Sequence, residues 1–90
     1  MRPYHYLVSG RVQGVCFRHY TVKEAARWGI AGTVRNLASG DVEVQAQGDE
    51  ASIAQFELFL HTGPRSARVD KVEREVVDQE EIFRGFDISW

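Results

Sequence analysis

The stretch GRVQGVCFRHY (Gly10–Tyr20) gathers the residue types with the most chemistry in this chain: two glycines, the single cysteine Cys16 and, two residues on, Arg18. Glycine admits backbone conformations in which successive N–H groups converge on one point, forming a nest for an anion. A helix starting near Arg18 adds N–H groups without internal acceptors and the positive end of its dipole. The arginine fork suits phosphate or carboxylate. Together these groups suit a small dianion. A plain strand-to-helix turn with a solvated Arg18 uses the same residues without any ligand, because such turns often carry glycine. The loop's composition leaves both readings open.

Spelling narrows the enzymatic options. A nucleotide-binding loop of the form G-x-x-x-x-G-K-[ST] is excluded: Gly10 and Gly14 are one position too close, and Val15-Cys16 stands where Lys and Ser/Thr belong. A cysteine-dependent phosphatase closes a loop between its nucleophile and its arginine. Cys16 and Arg18 are too near each other for that, so Cys16 is read as non-catalytic. His19 follows Arg18 on the expected helix, where adjacent residues diverge by about 100°, and is expected to face elsewhere. His5 and His61 share no metal-ligand spacing with each other or with Cys16, so neither a metal site nor a cofactor is expected. The run Asp78-Gln79-Glu80-Glu81 reads as a solvated turn.

These groups need elements to hold them. Tyr4–Val12 is aromatic and β-branched, with Tyr4, Tyr6 and Val8 alternating against His5, Leu7 and Ser9, and reads as a strand. Arg18–Gly29 reads as a helix with Val22, Ala25 and Ala26 at i, i+3, i+4 and Gly29 as its stop. Ile30–Leu37 and Gly40–Gly48 form a hairpin through Ala38-Ser39-Gly40. Val42, Val44 and Ala46 share its buried side, and Glu43, Gln45 and Gln47 the other. Asp49 caps a second helix from about Glu50 to His61, ended by Gly63-Pro64, with Ile53, Phe56 and Leu60 on one face. Phe56, Phe59 and Leu60 read as core. A strand near Arg68–Val77 follows, then a short terminal one in which Phe86, Ile88 and Trp90 alternate. The order βαββαβ plus a short extra C-terminal strand predicts an α/β (α+β) ferredoxin-like sandwich, with two helices on one face of an antiparallel sheet. Many functions share that architecture.

Bulk properties bound the rest. Ninety residues are expected to form one domain, residues 1–90, with a thin core and no linker, repeat or low-complexity tract. Thirteen acidic against eleven basic residues, a net charge of −2, argue against a nucleic-acid or membrane-surface partner. The positive charge is nearly all arginine, which leaves room for one basic pocket. No segment approaches the ~20 apolar residues of a membrane span, and His5 and the tyrosines interrupt any signal-like run in MRPYHYLVSG. A single cysteine permits no intrachain disulfide, which points to a reducing compartment and a cytoplasmic location.

VSGRVQGVCFR (Val8–Arg18) resembles the signature loop of the acylphosphatase family: an apolar residue, x, G, x, V-Q-G-V, x, an aromatic or Met, then R. Every fixed position is present, and Cys16 falls at a variable one. GTVRNLASGDVEVQAQG (Gly32–Gly48) resembles the family's second signature, with Asn36 four residues before Gly40, then Val42, then Gly48. One position departs. Thr33 stands where an aromatic is usual, and the change is expected to alter packing or pocket shape near the site. The resemblance covers essentially the whole chain and favours the anion-cradle reading over the plain turn.

The resemblance implies a metal-independent hydrolase that splits small acyl phosphates into a carboxylate and inorganic phosphate, the latter also a competitive inhibitor. It matches Arg18 to the family's phosphate-binding arginine and the backbone N–H groups of Gln13, Gly14, Val15, Cys16, Phe17 and Arg18 to its phosphate cradle. It matches Asn36 to the asparagine that orients the attacking water. For Asn36 to meet the loop, its strand is expected to lie beside the first strand. Alternation then puts Val34 and Asn36 on one face and Thr33, Arg35 and Leu37 on the other, so Arg35 is expected at the surface or in an ion pair. An RNA-recognition module shares the element order, but its base-stacking strand would be DVEVQAQG, which carries Glu and Gln in place of aromatic and basic residues. A non-catalytic anion-binding domain would use the same cradle, and Asn36 argues against it. An acylphosphatase-like domain of a carbamoyltransferase maturation protein is the third alternative; no zinc-finger cysteines accompany this chain, which favours a free-standing monomeric enzyme.

Overall fold

The structure, a computed structural model, describes residues 3–78 and 82–89. Of the expected solvated turn Asp78–Glu81, residues 79–81 lie outside the described residues, as does the alternating Trp90. The elements are β1 (Tyr4–Arg11), α1 (Phe17–Trp28), β2 (Ala31–Asn36), β3 (Val42–Gln47), α2 (Glu50–Thr62), β4 (Arg68–Val76) and β5 (Phe86–Ile88). Each falls within two residues of its expected bounds.

The five strands form one sheet in the order β4-β1-β3-β2-β5. This is a ferredoxin-like α+β arrangement, with two corrections to the expected sheet. It is mixed: β5 runs parallel to β2, with Val34 opposite Ile88. Furthermore, β2 does not lie beside β1. Strand β3 sits between them, pairing antiparallel with both, so that Val44 faces Tyr6 on one side and Val34 on the other. The reason is the crossover. Helix α1 carries the chain over one strand position before β2 begins, and the hairpin return of β3 fills the gap.

The strands turn alternate side chains to one face, and both helices cover that face. Tyr6, Val8, Val34, Val42, Val44 and Ala46 join Phe17 and Ala25 of α1 and Ile53, Phe56 and Leu60 of α2 in a single buried cluster. Each large side chain buried this way contributes roughly 1.5–3 kcal/mol. The face of α1 differs from the expected one: Phe17, Thr21 and Ala25 are buried, while Ala26 is exposed and Val22 packs only at the edge. Thr21 is tolerated there because its hydroxyl donates to Phe17 O at 2.8 Å, which leaves its methyl to pack.

The opposite face carries polar pairs. Arg35 Nε donates to Glu43 Oε1 at 2.7 Å, and His5 Nε2 lies 3.0 Å from Glu43 Oε2. Burial alone would raise the Glu43 carboxyl, but hydrogen bonds from His5 and Arg35 hold it below its ordinary value. Arg35 thus occupies the surface ion pair expected of it.

Candidate active site

The loop between β1 and α1, the first turn of α1, the end of β2 and β5 enclose a cavity of about 370 Å³. Val12, Gly14 and Cys16 come from the loop, Phe17, Arg18 and His19 from α1, Asn36 from β2 and Ile88 from β5. The backbone needs unusual conformations to make this shape. Gly14 has φ 74°, and Cys16, the residue before α1, has φ 61° with no side-chain hydrogen bond capping the helix. A left-handed conformation at a residue with a Cβ costs on the order of 1–2 kcal/mol. Gly10 has φ 131° at a bulge where β1 shifts register against β4, and a Cβ there would collide with the Arg68 carbonyl.

The result is a turn lined with donors. Among the described residues, the N–H groups of Gly14 to Phe17 find no backbone acceptor. Phe17 and Arg18 open α1, whose first turn contains no acidic residue. The loop is tied down from behind, where Ser66 Oγ donates to Val15 O at 2.9 Å. The same cavity is bordered by an acceptor. Among the described residues, Asn36 Oδ1 and the Tyr6 hydroxyl are the buried side-chain polar atoms that lack a hydrogen-bond partner, and of the two only Asn36 lines the cavity. An unmet buried acceptor costs roughly 1–3 kcal/mol unless water or a ligand satisfies it. Arg18, a loop whose N–H groups find no backbone acceptor, and the unmet Asn36 acceptor therefore border one small space.

The family signature of that constellation extends along the chain: the sequence profile described as Acylphosphatase matches residues 4–88. The chain belongs to the acylphosphatase family. It is 45% identical over 84 residues to an acylphosphatase of Anaeromyxobacter dehalogenans, an alignment that covers 93% of this chain and 90% of that one. The crystal structure of acylphosphatase from Bacillus subtilis superposes with a TM-score of 0.95 at 32% identity, covering both chains completely. The crystal structure of T. kodakarensis HypF contains a similar unit, with a TM-score of 0.88 and 31% identity over all of this chain and 12% of that one. Acylphosphatases hydrolyse acyl phosphates, and membership makes this chain an enzyme of that class.

Within this acylphosphatase framework, the expected site residues separate. Gly14, Cys16, Phe17, Arg18 and Asn36 line the cavity. Val15 is 7% exposed and packs into the core, and the Gln13 side chain turns away to the β2–β3 turn, so only their backbones are available to the cradle. Two expectations, for His19 and Thr33, are corrected, and one lining residue, Ile88, was not foreseen. His19 lines the cavity despite following Arg18, because the cavity is wide enough at the helix end to take in both positions. Ile88 supplies a wall that could be recognised only once β5 was known to pair with β2. Thr33 alternates onto the other face of β2, opposite Gln45 and Asp87, so the departure from the usual aromatic alters the sheet's outer surface and not the cavity. His5 sits on the outer face with Glu43, His61 lies in the last turn of α2, and no cluster of three or more potential metal ligands occurs among the described residues. Among those residues no helix is long and apolar enough to cross a membrane.

Proposed function

We propose that this chain, as a single monomeric domain, splits the carboxyl–phosphate bond of small acyl phosphates without a metal. Arg18 and the backbone N–H groups from Gln13 to Arg18 hold the phosphoryl oxygens. Asn36 orients a water in line with the leaving carboxylate. The observation that carries this reading is the placement of the unmet Asn36 Oδ1 in the same cavity as Arg18 and the loop amides. An amide oxygen accepts a hydrogen bond from water and so turns an oxygen lone pair of that water toward phosphorus.

The chemistry asks for little more. The departing carboxylate has a conjugate acid of pKa about 4, so it leaves without a strong general acid. A loose phosphoryl-transfer transition state is stabilised chiefly by positive charge around the equatorial oxygens and by alignment of nucleophile and leaving group. Amides held in place before the substrate arrives need no reorganisation during the reaction. The proton released by the attacking water passes to the phosphate product. Ile88 and the other apolar residues that line the cavity, Val12 and Phe17, border the space for the acyl group, and His19 lines it too. Inorganic phosphate occupies the same cradle and acts as a competitive inhibitor, and the enzyme works in the cytoplasm.

Hydrolysis of benzoyl phosphate in EDTA tests the reading. Wild type turns over with EDTA present, and Asn36→Ala lowers kcat by about a hundredfold with a smaller change in KM. Turnover that vanishes with EDTA, or an Asn36→Ala variant with undiminished kcat, overturns it.

A further inference from the structure

The Gln13 side chain lies in the loop yet outside the cavity. Its Nε2 donates to Leu37 O at 2.8 Å and to Asp41 O at 2.9 Å. Those two carbonyls belong to the two ends of the β2–β3 turn. Leu37 N–H donates to Asp41 O at 2.8 Å, and Gly40 N–H donates to Leu37 O at 3.1 Å. One primary amide therefore closes the mouth of the turn that begins immediately after Asn36.

The topology explains why such a link matters. The loop leaves β1 and Asn36 ends β2, but β3 separates those strands. Their backbones are two strand spacings apart, about 9–10 Å, and share no ladder hydrogen bonds. Val42, opposite both Val8 and Asn36, is the register position that relates them. The loop must cross the end of β3 to meet Asn36, and Gln13 makes the crossing. The residue type fits the task. A planar group with two N–H donors satisfies two carbonyls at once, whereas a carboxylate would present oxygen to oxygen.

We propose that Gln13 is a positioning residue: its side chain holds the turn that follows Asn36 against the loop and so sets the distance between the attacking water and the phosphoryl group. Gln13 acts through Asn36, and the inference rests on the role given to Asn36 above. In-line attack tolerates little error, since a displacement near 1 Å can cost about a hundredfold in rate.

The test is a double-mutant cycle of wild type, Gln13→Met, Asn36→Ala and the double variant. Each is assayed for benzoyl phosphate hydrolysis, for inhibition by inorganic phosphate and for circular dichroism. Gln13→Met keeps the length and loses both donors. It lowers kcat by about ten- to a hundredfold, while KM and the phosphate inhibition constant stay within about threefold. In the Asn36→Ala background it lowers kcat by less than about twofold, because the group it positions is gone. Gln13→Glu falls at least as far as Gln13→Met. Full, multiplicative losses in the double variant overturn the proposal, as does a Gln13→Met enzyme with normal kcat and weakened phosphate inhibition, which would make Gln13 a support of the loop alone. If Gln13→Met is misfolded by circular dichroism, the cycle with Gln13→Asn, whose shorter amide cannot span the gap, gives the decision. An Asn36→Ala variant with wild-type kcat removes the mechanism itself, a result distinct from multiplicative losses.

Discussion

The two helices begin in opposite ways. Helix α2 starts after Asp49, an extended residue whose carboxylate accepts the Ser52 N–H at 2.8 Å, and Glu50 adds a second acid to the first turn. Helix α1 starts after Cys16, a left-handed residue without a side-chain cap, and has no acid in its first turn. Both ends present the same orphan N–H groups and the same partial positive charge. At α2 the protein satisfies them with its own carboxylates. At α1 it withholds them, accepts an unfavourable backbone conformation, and sets Arg18 among them. The contrast separates an end capped by the protein's own carboxylate from an end with no side-chain cap that borders the cavity.

Four substitutions test that contrast, in descending order of effect. Arg18→Ala should lower kcat/KM for benzoyl phosphate by about a thousandfold or more, since it removes a charged donor fork from the phosphoryl site. It should also abolish the rise in Tm that phosphate gives the wild type, whose source is a ligand stabilisation of roughly 2.7 kcal/mol at a hundredfold excess over Kd. Cys16→Asp makes the α1 end resemble that of α2. A fixed carboxylate would then compete with phosphate, and kcat/KM should fall by about a hundredfold in a protein whose Tm is no lower than wild type. Retained activity would mean that the α1 end does not hold the anion.

Asp49→Ala should lower Tm by a few degrees and leave both kcat and the phosphate-induced shift in Tm unchanged. Hydrogen bonds from the Ser52 N–H and hydroxyl hold the Asp49 carboxyl below its ordinary value of 3.8. The native pKa is therefore lower than the unfolded one, and the stabilisation is complete above about 3.8. The gap in Tm between wild type and Asp49→Ala should close as pH falls through the lower native value, as thermal melts across the acid range would register. Cys16→Gly removes the left-handed penalty and adds chain entropy of similar size, so stability should change by less than about 1 kcal/mol and activity by less than about threefold. A folded but inactive Cys16→Gly would return the sulfur to the mechanism.

Much of this was legible from residue order, because period and turn chemistry are local. Val42, Val44 and Ala46 announced a one-sided strand, and Asp49 and Gly63 marked the ends of α2. Two long motifs single out Arg18 and Asn36 from the sequence itself. What escaped depends on neighbours that sequence does not name. Thr21 looks polar until its hydroxyl is seen bonded back to Phe17, and only then does the buried face of α1 shift from Val22 and Ala26. Whether Phe86–Ile88 runs with or against β2 cannot be read from three residues, so Ile88 was missing from the cavity wall. Requiring Asn36 to meet the loop suggests that β2 lies beside β1, whereas the crossover leaves room for β3 between them. Gln13 was read as a backbone donor, and nothing local indicates that its side chain reaches residues 24 and 28 positions away.

The strand order has a kinetic meaning as well. Of the four neighbouring pairs in β4-β1-β3-β2-β5, only β3-β2 joins consecutive strands. Every other pairing closes a long stretch of chain, and β1 meets β4 across nearly the whole protein. Such non-local closure is paid in entropy before contacts repay it, and it slows folding relative to helical domains of similar size. Because the loop hangs from β1, Asn36 from β2 and Ile88 from β5, no early hairpin carries the whole cavity. Catalysis in this protein is a property of the last topology to form, and regained turnover during refolding reports the completed sheet.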